Sequence, residues 1–145
     1  MQRYLGDDWI LPSLTPNNTP FFTAGRIEIQ FCEDCEHAQH PPDDLCYACQ
    51  GRRLAFRALP GTGRIESAAV VHHAVHPALK ERVPYVIAIV SLDGAPGCSV
   101  QGNVIDCEPA AVEIGQKVRA VFERVTDPRS GTQLAIPQWE LASSD

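Results

Sequence analysis

The strongest constraint on this chain lies between Cys32 and Cys49, where Cys-Glu-Asp-Cys is followed by ten residues and then Cys-Tyr-Ala-Cys. With six cysteines in all, two Cys-x-x-Cys pairs this close together are hard to obtain by chance. Tetrahedral Zn²⁺ takes four thiolates at about 2.3 Å, and each Cys-x-x-Cys knuckle can turn two sulfurs onto one ion. Cys32, Cys35, Cys46 and Cys49 are therefore the expected ligands of a structural Zn²⁺. The spacer is shorter than the ~15 to 20 residues of the commonest four-cysteine pattern, which suits a compact ribbon of two short hairpins. A pair of disulfides, free thiols or redox exchange are the alternatives for such cysteines. His37 and His40 lie in the spacer, and imidazole also binds zinc; four thiolates already complete a closed tetrahedron, which leaves both histidines as loop residues. A closed site keeps no position for water, so this metal is expected to stabilise rather than to catalyse.

The rest of the chain sets the context for that ribbon. At 145 residues there is room for a small metal-stapled module beside a domain of roughly 80 residues. Hydrophobic residues make up 44% and charged residues 21%, and no stretch approaches the ~20 apolar residues of a membrane span. Met1 to Ile10 lack the basic start and apolar run of a secretory signal. Paired cysteines then read as metal ligands in a reducing compartment, and a cytoplasmic location is expected. The net charge of −6 works against a nucleic-acid function, which draws on clustered Lys and Arg. Residues 1 to 60 carry five Arg against eight acids, and residues 61 to 145 carry seven bases against ten acids, so neither part is basic.

Three regions follow: an N-terminal arm (1–31), the cysteine ribbon (32–56) and a second module (57–145). In the arm, Asp7 to Leu11 could form a short helix, but Pro12, Pro16 and Pro20 break any longer one. Tyr4, Leu5, Trp9, Ile10, Leu11, Leu14, Phe21 and Phe22 exceed what an extended arm can bury against itself. That surface packs on the rest of the chain or on another protein. Ile27, Ile29 and Phe31 alternate, as in a strand leading into the first knuckle.

The second module reads as strands and turns. Arg64 to Val75 alternates in part, with Ile65, Ala69, Val71 and Val75 on one face, and Pro84 to Asp93 is a near-continuous apolar run. Asp93 to Gly97 is a turn by composition. Cys98 to Ile105 forms a third strand, Glu108 to Gly115 a short helical turn, and Lys117 to Val125 and Thr132 to Trp139 the last two strands. Five strands with a short helix between the third and fourth is the order of an OB-fold barrel. The expected class is mainly β.

At this point the chain resembles a known family. Thr19-Pro20-Phe21-Phe22, the Ile29-Gln30-Phe31-Cys32 entry, the knuckles with Pro41-Pro42 between them, and Gly61-Thr62-Gly63-Arg64-Ile65 are similar to the DUF35 family of zinc-ribbon plus OB-fold proteins. Pro84 to Val90 and Ile114 to Val118 extend the likeness over nearly the whole chain. The resemblance implies a helical N-terminal arm, a ribbon and a barrel docked on a thiolase-superfamily enzyme that acts on acyl-CoA thioesters, including the aldolases of steroid side-chain degradation. It departs at Glu36, where a glycine commonly follows the second cysteine, and at Phe56, where a tryptophan is usual.

Other reactive side chains are read as ordinary ones. His72 and His73, on a strand, point to opposite faces and do not share a site; with His76 they are expected at the surface. Lys80 and Arg82 lie in an expected exposed loop and could meet the phosphates of CoA. Cys98 and Cys107 lack a Cys-x-x-Cys partner and a neighbouring base, and read as small apolar residues. No nucleophile elbow, phosphate loop or dinucleotide fingerprint occurs, and no catalytic residue is named. The leading expectation is a non-catalytic zinc-binding subunit of a thiolase-like acyl-CoA enzyme, in a hetero-oligomer that could touch acyl-CoA. The competing ones are a single-stranded nucleic-acid module and a CoA-thioester hydrolase or carrier acting alone.

Overall fold

The computed structural model describes residue 4 and residues 6–143. Two sheets make up the fold. The first is three-stranded and antiparallel, with β1 (Glu28–Cys32) between β2 (Ala38–Gln39) and β3 (Leu54–Ala58). The second closes into a barrel of five strands: β4 (Thr62–Val71), β5 (Tyr85–Leu92), β6 (Ser99–Val104), β7 (Lys117–Thr126) and β8 (Gln133–Leu141), ordered β4-β5-β6-β8-β7. A 3₁₀ turn at Pro77–Leu79 sits between β4 and β5, and another at Pro109–Ala111 lies between the third and fourth barrel strands. The mainly β class and the barrel order expected from the sequence are both found. No helix among the described residues is long and apolar enough to cross a membrane.

Period-two patterning explains how β1 serves two layers at once. Ile29 and Phe31 join the main core, while Gln30 and Cys32, also buried, face the second knuckle. The core is continuous from ribbon to barrel. It joins Phe21, Ile27, Ile29 and Phe31 to barrel residues such as Val86, Val90, Val118 and Trp139. Each such side chain contributes about 1.5–3 kcal/mol on burial, so neither sheet has a complete core alone.

The arm differs from expectation. Asp7 to Leu11 forms a turn, closed by the Trp9 N–H donating to the Gly6 carbonyl at 3.0 Å, rather than a helix. The helix is α1 (Thr19–Thr23), with Pro20 in its first turn, where proline's missing N–H costs nothing. Phe21 is buried and meets Phe22 edge to face, with the rings 84° apart and their centroids 5.0 Å apart, and α1 packs on β8 and β1. Trp9, Leu11 and Leu14 are part-buried, Ile10 is 72% exposed, and Leu5 lies outside the described residues. Most of the arm's apolar surface is thus accommodated by its own chain.

β4 also departs from the expected face of Ile65, Ala69, Val71 and Val75. A bulge between Ile65 and Ser67 inserts one residue, so Ile65, Ala68 and Val70 share the side of Val90, Ala88 and Val86. A bulge resets the alternation, which no reading of apolar spacing anticipates. The strand ends at Val71, leaving His72, His73 and the 80%-exposed Val75 beyond it. The following loop is not wholly exposed, because Leu79 is 1% accessible.

The barrel closes through one parallel contact, Val104 against Trp139, with the Ile105 N–H donating to the Trp139 carbonyl at 2.8 Å. Trp139 therefore turns its backbone to β6, and Pro137, two residues earlier on the same edge, lacks its N–H where that ladder is already absent. Gln138 bridges the gap: its Oε1 accepts from the Asn103 backbone N–H (2.8 Å) and amide (3.1 Å), and its Nε2 donates to buried Glu123 (3.0 Å). Glu123 in turn accepts from the Tyr4 N–H at 2.8 Å, which fastens the arm to the outside of this seam. Gly102 is required there, since a Cβ would lie 2.9 Å from the Trp139 ring and 3.1 Å from the Pro137 carbonyl.

Candidate metal centre

The two knuckles are built by the same backbone pattern. In the first, the Cys32 N–H donates to the His37 carbonyl and the Glu36 N–H to the Cys32 carbonyl, each at 2.9 Å. In the second, the Cys46 N–H donates to the Gly51 carbonyl and the Gln50 N–H to the Cys46 carbonyl, again at 2.9 Å. The residue after each second cysteine takes the left-handed conformation, Glu36 at φ 63° and Gln50 at φ 62°. That conformation is easy for glycine and costly for other residues, which gives the physical reason for the glycine that is usual where Glu36 stands. Here Glu36 is engaged by Arg57 through a 2.7 Å contact and a second at 3.3 Å, which holds its carboxyl below the ordinary range. The same Arg57 lies 4.7 Å over the Phe31 ring, tying the knuckle to β3 and β1.

These turns bring the four sulfurs together. The Sγ atoms of Cys32, Cys35, Cys46 and Cys49 all lie within 4.8 Å of one another, with 3.6 Å between Cys32 and Cys49 and 3.5 Å between Cys35 and Cys46. A tetrahedral ion with about 2.3 Å bonds sets neighbouring sulfurs about 3.8 Å apart, while a disulfide needs about 2.05 Å. All four are free thiols at separations suited to a shared cation, so the cluster could bind a metal. The Cys49 amide, followed by the Ala48 amide, pulls the Cys46 thiol down to about 6 despite burial. Cys35 receives the His37 amide, yet burial and the three other thiols push it up to about 12. Thiols this close cannot all ionise unless a cation offsets their charge. Gly51 closes one side, where a Cβ would approach Asp34 Oδ2 at 3.0 Å and Cys49 Sγ at 3.2 Å.

Two buried glutamines position the second knuckle, and the sequence reading missed them. Gln30 and Gln39 face each other in register, with Gln39 Nε2 donating to Gln30 Oε1 at 2.7 Å. Gln30 also receives the Asp43 N–H and donates to the Asp43 carbonyl, both at 2.9 Å, while Gln39 donates to the Leu45 carbonyl and accepts from the Tyr47 N–H. Together they satisfy the backbone of the spacer that would otherwise be stranded beside β1 and β2. A polar residue at the alternate positions of an apolar strand was the available signal.

The remaining candidates lie elsewhere. His37 is exposed at the first knuckle, and His40 is part-buried with its ring 4.6 Å from Phe21, where burial lowers its pKa. His76 caps the first 3₁₀ turn through Nδ1, which accepts from the Ala78 N–H at 3.1 Å, and meets the Trp9 ring edge-on at 5.2 Å. His72 and His73 are exposed, and since both lie past the end of β4, their separation does not follow from strand alternation. Cys98 is buried and Cys107 part-buried, and burial raises both thiols. Lys80 and Arg82 are exposed.

Comparison with known proteins places this geometry. Residues 56–123 match the family described as the C-terminal OB-fold domain of ChsH2. The chain is 35% identical over 98 residues to a DUF35 domain-containing scaffold protein of Methanocaldococcus jannaschii, a match covering 66% of this chain and 67% of that protein. It is 30% identical over 142 residues to the 3-oxo-4,17-pregnadiene-20-carboxyl-CoA hydratase alpha subunit of Mycobacterium tuberculosis, covering 94% of this chain but 40% of that larger protein. A chain of the solved structure titled Ltp2-ChsH2(DUF35) aldolase superposes with a TM-score of 0.74 at 30% identity, covering 92% of this chain and all of that one. With its cysteine cluster, its five-stranded barrel and these relatives, the chain belongs to the DUF35 family.

Proposed function

We propose that this chain is a non-catalytic accessory subunit that docks on a thiolase-like acyl-CoA enzyme, with Cys32, Cys35, Cys46 and Cys49 holding one structural Zn²⁺. The observation that carries the reading is the likeness, across 92% of the chain, to the DUF35 component of an aldolase complex. The metal assignment is supported by the sulfur spacing and by the repeated knuckle pattern. A bound Zn²⁺ would offset the charge of the four thiolates and crosslink the two knuckles; with four protein ligands it leaves no open position for a reacting water. The arm (1–31), ribbon (32–56) and barrel (57–145) then act as one docking body. The hydratase relative's name points to a steroid or related lipid side chain as the enzyme's substrate, with the complex in the cytoplasm and this subunit near the acyl-CoA.

Purification of the tagged full chain from its native cells, followed by sizing and mass spectrometry, tests the reading. A stoichiometric complex with a thiolase-like subunit, whose activity or stability falls when this chain is withheld, is the expected result. Two independently folded proteins, with the enzyme fully active alone, would overturn it. Elemental analysis of the same preparation should find about one Zn per chain.

A further inference from the structure

Among the described residues, the second half of β4 is an edge without a neighbour. The strand pairs with β7 only from Thr62 to Arg64, and the ladder ends with Ile65, which exchanges hydrogen bonds with Gln116 and Gly115. From Ser67 to Val71 it continues beside β5 alone. Among the described residues no backbone hydrogen bond reaches its other side. Ser67, Ala68, Ala69 and Val70 are exposed although they alternate between the two faces, so this half of the strand lacks cover above, below and along its edge. The neighbouring Ile89 and Val70 are each 39% exposed, and Val75 is 80% exposed.

Free edges are normally blunted by charge, by proline or by a short strand. Charge and proline are both absent here: no Lys, Arg, Asp, Glu or Pro occurs between Ser67 and His76. We infer that the β4 edge from Ser67 to Val71 is the docking seam of the enzyme subunit, which adds a β-strand of its own to this sheet. The inference rests on the accessory-subunit reading and specifies how the two chains meet. Unpaired N–H and C=O groups in a row are met by another extended main chain, and the flanking Val70, Ile89 and Val75 select apolar side chains on it.

The other occupants fit less well. Among the described residues the start of the arm is held elsewhere, with the Tyr4 N–H donating to Glu123 at the seam beside β8. A second copy, paired edge to edge through five residues, makes a contact only about 17 Å long. A strip that long and about 10 Å wide buries roughly 300–400 Å² over both partners, well short of the roughly 1,000 Å² of a stable interface, and each copy carries a net charge of −6. An enzyme subunit can cover the edge, Ile89 and Val75 within one larger contact.

Amide hydrogen exchange on the full chain, alone and in the complex purified with its thiolase-like subunit, tests the inference. Outward amides of Ser67 to Val71 should exchange rapidly in the isolated chain and at least about tenfold more slowly in the complex. Val70→Lys should leave the isolated chain's Tm within about 2 °C of wild type and raise the dissociation constant of the complex at least about tenfold. Ser130→Lys, in the β7–β8 turn, should change neither. A complex that forms with exchange of these amides unchanged, or that Val70→Lys leaves intact, refutes the docking seam while the accessory role stands. Protection that appears in the isolated chain as its concentration rises assigns the edge to a second copy and also refutes it. If the wild-type chain forms no complex at all, the accessory reading and this inference fail together.

Discussion

At the residue scale the ribbon's departures from the family pattern have measurable consequences. Glu36 occupies a left-handed conformation and recovers part of that cost through Arg57, an exposed partner. Glu36→Gly should therefore be more stable to urea than Glu36→Ala, which loses the pair and keeps the strain. If the two variants unfold at the same urea concentration, backbone strain is not what the position is about. His40 gives a pH effect of defined sign. Burial lowers its pKa from about 6.5, so the folded chain holds a neutral ring while the unfolded chain takes up a proton first as pH falls. Its share of stability is present above about pH 6.5 and declines as pH drops below that, levelling off under the folded pKa. The Cys46 thiol, pulled down to about 6, titrates in the same range, so the comparison is between chains: His40→Phe, which keeps an aromatic contact with Phe21, should lose less Tm between about pH 7.5 and 5.5 than wild type does. Equal losses would exclude His40 as a contributor.

At the element scale the β6–β8 seam is the place where small changes have large effects. Gln138→Leu deprives the Asn103 N–H and one Glu123 oxygen of a buried partner and should cost about 2–4 kcal/mol in denaturant unfolding. Gly102→Ala drives a methyl onto the Trp139 ring and the Pro137 carbonyl and should cost about 1–3 kcal/mol. A loss under about 0.5 kcal/mol in either variant would show that the seam relaxes freely. Most barrel strands were legible from a long apolar run bounded by turns, as in Tyr85–Leu92, or from alternation, as in Lys117–Thr126. Three features were not. β2 is two residues long and exists only through its pairing with β1. The β4 bulge leaves no mark in apolar spacing. Helix α1 carries in its first turn a proline, Pro20, that, read locally, signals a break. In the candidate site, the cysteine spacing announced the four thiols, but Gln30 and Gln39 act through backbone groups of a loop thirteen and six residues away, which no linear spacing encodes.

At the scale of the whole molecule, one core spans ribbon and barrel, so loss of the metal should not be a local event. Ile27, Ile29 and Phe31 pack in the same cluster as Trp139, while Cys32 ends the strand that carries two of them. Cys32→Ser should retain under about a tenth of the wild-type zinc and lower Tm by about 10 °C. Intrinsic tryptophan fluorescence and far-ultraviolet circular dichroism should report a single shared transition. Two separated transitions would mean that the barrel stands without the ribbon.

The fastening of the arm to the far end of the chain also bears on how the protein is made. Helix α1 packs on β8, and the Tyr4 N–H reaches Glu123. On a ribosome working at about 5–20 residues per second, those seats emerge roughly a hundred residues after the arm itself. Phe21, Phe22 and Trp9 therefore wait in the open for several seconds of synthesis. A nascent chain halted before Gln133 should carry an accessible apolar leader that chaperones or a ready-made enzyme subunit can hold, whereas the released chain hides most of it.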